Sequence, residues 1–410
     1  MAETSKHLII VGGGPAGAML SFLMARMGVK TTLIERHKDL SREFRGEGLS
    51  PSGVEVFRQA GLLDALSKLP ASEVKSARFF IGDQDVLSLP MAEILPAAAM
   101  QRLMPQGPVL EMLIEKAKQF DCFTYLDGAR VLDLAYDNGR VNGVVLDHEG
   151  QKKELNADYV ISAEGRNSIL RRKLGLDWVG ENQSYDIVWT KLKKPDFVTE
   201  GEVFSFLQAE RFGIGLPSAE GKIQLGVVIP KGSYKSFRND DEPWQEKLAA
   251  GLPCQFAEYI LANPDKLDKP ILLDVISGSL SNWSKPGICF MGDAAHPMSP
   301  VGAQGINLAL RDAIVAANLF GPALQDAAAN TDAFDHAAKQ FEAERRKEIE
   351  PAQKQQNTAP SQFAMASKFG WLIKFISNGF LKMLMKIFVS GKAVDKLIYG
   401  AVPVKLTFKP

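Results

Sequence analysis

Cysteine is scarce: Cys122, Cys254 and Cys289 are the only three in 410 residues, and they are widely scattered. That excludes a disulfide framework and a cysteine-based metal centre, so no metal site is expected and a reducing cytoplasm suits the chain. Net charge is also missing. Lys+Arg 48 balances Asp+Glu 48, which excludes the global positive field that holds nucleic acid. No apolar run is long enough to span a bilayer. The apolar stretch after Lys6 is broken by glycines, so it reads as a first β-strand and not a signal peptide. Internal repeats and low-complexity segments are absent. What is left is an ordinary globular composition, 46% hydrophobic and 23% charged, with length for two or three domains.

The sequence is most specific near its start. Leu8, Ile9, Ile10 and Val11 predict a buried parallel strand that runs into Gly12, Gly14 and Gly17, spaced GxGxxG, and then into a helix over 18–27. Gly12 permits a tight turn, Gly14 lets backbone N–H groups approach a pyrophosphate, and Gly17 lets helix pack on strand. Pro15 and Ala16 lie within the loop, at the helix start where N–H groups and the dipole favour an anion. A second strand over 30–34 ends in Glu35, followed by Arg36, about twenty residues on, where an acid can bond a ribose hydroxyl.

Two more stretches have the same strand–turn–helix character. The apolar run 159–162 leads into Ala163, Glu164, Gly165 and Arg166, and Ser168 opens a basic helix. The run 288–291 ends in Gly292 and Asp293. A proline-rich turn with His296, Pro297 and Pro300 follows, then Gly302 to Gly305 and a long helix from Ile306 and Asn307. An acid at a strand end can bond a polyol hydroxyl, and the later helix start aims N–H groups at negative charge. His296 is a candidate catalytic residue, although a histidine in such a turn more often supports structure.

Between these stretches the pattern changes. Residues 76–81 and 85–89 predict a hairpin, and 187–192, 202–208, 212–216, 222–229 and 271–277 predict strands interrupted by one helix over 243–262. This describes a second, largely antiparallel domain. Phe204, Phe206, Phe212 and Ile214 either line a pocket in it or form its core. Arg42, Arg45 and Glu47 lie in a polar loop, and Gln106 stands just before a helix over 108–120.

The three motifs, in this order, resemble the class A flavoprotein monooxygenases, the para-hydroxybenzoate hydroxylase-like group that includes the ubiquinone-biosynthesis hydroxylases. The likeness covers roughly residues 8–360, and GAQGINLALRDA is especially similar to the ubiquinone-hydroxylase form. The resemblance implies an α/β fold. A Rossmann-like, glutathione-reductase-like FAD-binding domain (1–73, 98–180 and 280–365) would interleave with a β-sheet substrate domain (74–97 and 181–279), followed by a C-terminal helical tail (366–410). It implies that Gly12, Gly14, Pro15, Ala16 and Gly17 hold the FAD pyrophosphate and that Glu35 and Arg36 meet the adenosine ribose. Arg45 and Gln106 would flank the cofactor, Glu164 and Gly165 would form the middle motif, and Gly292 and Asp293 would take the ribityl chain. Pro300, Gly302, Gly305, Ile306 and Asn307 would lie beside the flavin ring. The family has Asp-Gly where this chain has Glu164–Gly165. The implied reaction uses NAD(P)H and O₂ to hydroxylate an aromatic or apolar small molecule through a flavin hydroperoxide. Three alternatives are a flavin halogenase, a prenyl-lipid reductase of the same superfamily, and a non-catalytic FAD-binding protein at a membrane surface. No WxWxIP occurs, which argues against the tryptophan-halogenase type.

The tail from Lys368 is different in kind. Lys374, Asn378, Lys382 and Lys386 recur every fourth residue on a mostly apolar helix that begins near Trp371 and reaches Phe388. It reads as a lid on the substrate domain, a dimer contact, or an interfacial helix at the inner face of the membrane.

Overall fold

A computed structural model describes residues 6–40, 47–180, 183–208, 211–239, 242–373 and 392–408. The loop with Arg42 and Arg45 and the lysine strip Lys374–Lys386 lie outside the described residues.

The first strand, β1 (His7–Val11), is buried at the centre of a six-stranded sheet. Leu8, Ile9 and Ile10 have no exposed surface, which is why the run carries no polar alternation. One side of β1 pairs in parallel with β2 (Lys30–Ile34) and the other with Tyr159–Ser162, in the register Leu8↔Tyr159. Ile288–Phe290 adds beyond Tyr159–Ser162, and Phe123–Leu126 beyond β2. All three sequence motifs therefore end neighbouring parallel strands at the same edge, where ligands meet open α/β sheets. The helix α1 (Pro15–Arg26) and the helix Gln304–Gln325 pack on this sheet.

A seven-stranded sheet stands beside it, in the order Ile271–Leu273, Tyr185–Lys193, Lys222–Pro230, Arg211–Pro217, Glu202–Gln208, Ser76–Ile81, Gln84–Leu89. Every pairing is antiparallel except Glu202–Gln208 with Ser76–Ile81. Its two faces differ. Phe204, Phe206, Ile223, Leu225 and Val227 form a core with Phe256, under the helices Trp244–Ala249 and Cys254–Ala262. Tyr185, Ile187 and Trp189 share the opposite face with Ile214 and Leu216.

Of the two readings offered for them, Phe204 and Phe206 are core, at 1% and 0% exposed. They lie across Gly215 and Gly213 of the next strand, where an added Cβ would stand 2.0 Å from each ring. The alternating glycines of FGIGLP make room for them. Phe212 and Ile214 project to the other side. The helix expected over 243–262 is two helices, broken at Pro253, which cannot donate an interior helical bond.

After a short turn the chain forms one long helix, Thr331–Ile373, rich in charge over 334–348. Residues 392–408 return to the six-stranded side. Gln59 holds the Val404 carbonyl and the Leu406 N–H, and Asn318 holds Lys405 and Thr407. None of the helices among the described residues is long and apolar enough to cross a membrane.

Candidate cofactor site

The glycine loop begins with strain only glycine accepts. Gly12 has φ +106°, and a Cβ there would stand 2.4 Å from the Ala163 carbonyl oxygen. The first and middle motifs thus touch backbone to backbone. A Cβ on Gly17 would stand 2.0 Å from the Gly12 carbonyl, so α1 can lie on the turn only because Gly17 has none. Gly14 is different. It has an ordinary φ of −74°, and a Cβ there would meet nothing within 4 Å. No side chain caps α1 and no acid sits in its first turn, so its N–H groups face that open space.

Glu35 is buried at the end of β2 and braces the loop. Its Oε2 accepts the Gly13 N–H at 2.8 Å and its Oε1 the His37 N–H at 3.0 Å. Arg36 is exposed and donates to the His37 ring. Gln106 opens the helix Gln106–Ala117 and lines a cavity with Pro15, Glu47, Leu49, Met104 and Ile306. That cavity joins the glycine loop to the third motif.

Both carboxylate oxygens of Glu164 are taken up within its own strand–turn–helix. Its Oε2 accepts from the Ser162 and Ser168 hydroxyls and the Leu170 N–H, and its Oε1 from the Ile169 N–H. The longer carboxylate caps the helix Ile169–Lys173 through donors that otherwise lack a partner. Gly165, at φ +79° with nothing within 4 Å of an added Cβ, still borders open space.

In the third motif, Gly292 has φ +58°, and its Cα edge approaches Ala16 of α1. Asp293 pairs with Arg166, Nε to Oδ2 at 3.0 Å, which links the middle and third motifs. Arg166 also donates to the carbonyls of Asp274 and Met298. Pro300 leads into a short turn with Gly302 at φ +75°. Ala303 is left-handed at φ +51°, unusual for a residue with a Cβ, and it starts the helix Gln304–Gln325 without a side-chain cap. Gly305 faces Asp293, 3.8 Å from Oδ1 to an added Cβ. Asn307 is fully buried and its side chain is spent on backbone: it accepts from the Ser50 N–H and donates to Gly48 and Ala303 carbonyls. It fastens Gly48–Leu49 to the helix start.

His296 is 1% exposed, packed against Trp283 with the rings tilted by 34°, and its Nε2 lies 2.7 Å from Asp312 Oδ2. The same oxygen accepts the Gly292 N–H at 2.9 Å. Asp312 Oδ1 accepts from Arg345, Arg345 reaches Glu348, and Glu348 pairs with Arg311, which holds the carbonyls of Tyr399 and Val402. Burial alone would raise the Asp312 carboxyl, yet His296 and Arg345 hold it below the usual carboxylate range. His296 thus belongs to a buried ionic chain behind the Gly292–Asp293 turn. That chain was missed in the sequence, although a signal existed: Arg311 and Asp312 stand inside an otherwise apolar helix.

The residues fit FAD. Two uncapped helix starts, an acid at a strand end and a glycine open to solvent space suit a pyrophosphate, a polyol and an electron-rich ring edge.

Residues 5–350 match the family described as FAD binding domain. The chain is 31% identical over 345 residues to 6-methylpretetramide 4-monooxygenase of Streptomyces rimosus, covering 84% of this chain and 81% of that protein. Its fold is similar to that of p-nitrophenol 4-monooxygenase PnpA from Pseudomonas putida, with a TM-score of 0.72 at 18% identity over 96% of this chain and 98% of the other. It is also similar to PqsL from Pseudomonas aeruginosa, with a TM-score of 0.71 at 21% identity over 87% of this chain and 96% of the other. With three motifs at one sheet edge and this family match, the chain belongs to the FAD binding domain family and is a class A flavin-dependent monooxygenase.

Proposed function

We propose that this monooxygenase uses NAD(P)H and O₂ to hydroxylate an aromatic or polycyclic small molecule. The observation that carries the reading is the cavity that brings together Pro15 of the glycine loop, Gln106 and Ile306 of the Gln304–Gln325 helix start, where the neighbouring Gly305 faces Asp293. In this reading the α1 N–H groups and Gln106 hold the pyrophosphate, and Glu35 fixes the loop and meets the ribose. Asp293 accepts from the ribityl hydroxyls once Arg166 yields or shares it. The N–H groups after Ala303 face the ring edge where negative charge gathers on reduction. When bound, FAD supplies the activation of O₂ and the transfer of one oxygen atom. The protein's part is orientation and exclusion of water.

The face of the seven-stranded sheet bearing Tyr185, Trp189, Ile214 and Leu216 supplies the substrate side, with residues 74–97 and 181–279 as the substrate domain. The relative from Streptomyces rimosus is named for 6-methylpretetramide, which supports a polycyclic substrate here.

The test measures NAD(P)H and O₂ consumption by purified FAD-loaded protein across phenols, quinolones, prenylated phenols and tricyclic phenols, with product mass spectrometry. Substrate-stimulated oxidation and a product heavier by one oxygen atom are expected. A product that gains hydrogen and no oxygen would favour a reductase, and no stimulation by any compound would refute the hydroxylase reading.

A further inference from the structure

One polar cluster bridges the two sheets at the border of the cavity that Pro15 and Ile306 of the first and third motifs line. Glu47 is 5% exposed, lines the cavity beside Leu49, Met104 and Ile306, and is anchored by its carbonyl to the Met104 N–H. Its carboxylate reaches the seven-stranded sheet. Lys191 Nζ lies 3.3 Å from Oε1, and the Gln224 amide donates to Oε2. Lys191 and Gln224 are directly opposed on neighbouring antiparallel strands, so both side chains leave the sheet on one face. That is the face opposite Ile223 and Leu225, hence the one turned from the covering helices.

The cluster is one donor short. Gln224 is fully buried, yet its Oε1 has no hydrogen-bond partner among the described residues. An unsatisfied buried carbonyl costs free energy, and it stands next to a carboxylate at the rim of an apolar cavity. A ligand hydroxyl would supply the missing donor. Burial pushes the Glu47 carboxyl up, against Lys191 and Gln224, which pull it down, and Glu220 adds to the rise.

We propose that Glu47 is the contact that selects a ring-bound acidic hydroxyl, a phenol or enol, on the substrate. Lys191 and Gln224 are positioning residues that fix its carboxylate. The inference rests on the hydroxylation of an aromatic or polycyclic compound proposed above. It adds which group the substrate must carry and where that group lies.

The test uses FAD-loaded protein and three probes of one shape: 1,8-dihydroxyanthraquinone, its dimethyl ether and anthraquinone. Dissociation constants come from equilibrium dialysis, with no turnover needed. The parent protein should prefer the dihydroxy probe by roughly ten- to a hundredfold, as expected for a hydrogen bond to a charged group. Glu47→Gln should reduce that preference to within about threefold, and Gln224→Leu and Lys191→Met should weaken it, while Lys191→Arg should restore it. FAD content and melting temperature, read on each variant, separate lost recognition from lost structure. Should Glu47→Gln lose FAD, the comparison of Lys191→Met with Lys191→Arg and Gln224→Leu carries the test. Equal binding of all three probes by the parent would overturn the inference and leave the hydroxylase reading intact. A preference that persists in all of Glu47→Gln, Lys191→Met and Gln224→Leu would also overturn it. Binding of none of the three would count against both.

Discussion

Replacing Arg345 with Met removes the central cation of the buried chain behind the Gly292 turn. Arg345 is 1% exposed and bonds Asp312 Oδ1 at 2.7 Å and Glu348 Oε2 at 2.6 Å, with those acids 0% and 5% exposed. In this set two arginines, Arg345 and Arg311, stand against two acids, Asp312 and Glu348. In Arg345→Met, Arg311 still neutralises Glu348, but Asp312 keeps only His296 and the Gly292 N–H. A buried charge stripped of its partner costs about 3–5 kcal/mol. Unfolding entropy of about 2.1 cal/mol/K per residue over 410 residues gives roughly 0.9 kcal/mol/K, so the melting temperature should fall by about 3–6 °C. The assay is a thermal melt of FAD-loaded protein at neutral pH, with exposed Lys339→Met as the surface comparison. Adding Asp312→Asn should recover about 1 kcal/mol or more, because it removes the orphaned charge. The pH sign follows from the depressed Asp312 pKa: its stabilising contribution is present above the unfolded value and is lost as pH falls through the folded one. The gap between parent and Arg345→Met should therefore narrow below about pH 4. A melt within about 1 °C of Lys339→Met would refute the reasoning.

Gly14→Val and Gly17→Val should fail in different ways. A Cβ on Gly14 meets no protein atom, so that variant should fold and lose FAD, whereas Gly17→Val drives into the Gly12 carbonyl and should lose stability first; circular dichroism and FAD titration together distinguish them. Asp293→Ala removes a charged acceptor worth about 1.5–3 kcal/mol, so FAD affinity should fall roughly ten- to a hundredfold in titrations of apoprotein, and unchanged affinity would reassign Asp293 to holding Arg166. Glu164→Ala should cost about 1–2 kcal/mol of stability as a lost helix cap, with FAD affinity nearly unchanged, and a tenfold loss of affinity would reverse that assignment.

The parts of the site readable in the sequence are those set by local geometry. Gly12, Gly14 and Gly17 announce a turn because their spacing has one steric meaning, and strands such as 8–11 announce burial by their unbroken apolar run. Contacts made across the fold were silent. Glu164 reads as a ligand because it stands where the family has an acid, and one added methylene lets it reach the N–H groups of its own helix. Arg345 looked like one more charge on a charged helix. Yet Phe334, Ala338, Phe341, Arg345 and Ile349 are all buried at spacings of three and four, so the arginine occupies the inward stripe of Thr331–Ile373. Gln224 and Lys191 could not be paired with Glu47 from sequence, since nothing local relates strands of one sheet to a loop on another.

The strand order of the six-stranded sheet bears on how the chain is made. β1 leaves the ribosome well before two of its companions: its neighbour Tyr159–Ser162 follows roughly 150 residues later and Ile288–Phe290 later still. At about 5–20 residues per second, one edge of a wholly apolar strand waits some 8–30 s for its partner. An open, apolar edge of that kind invites pairing with other chains, so nascent copies are natural clients for a holdase. The nucleotide crevice closes only when the Gly292 turn and the helix after Ala303 arrive. Loading of FAD therefore waits until those segments have been made, and expression under flavin starvation should yield aggregates before it yields folded apoprotein.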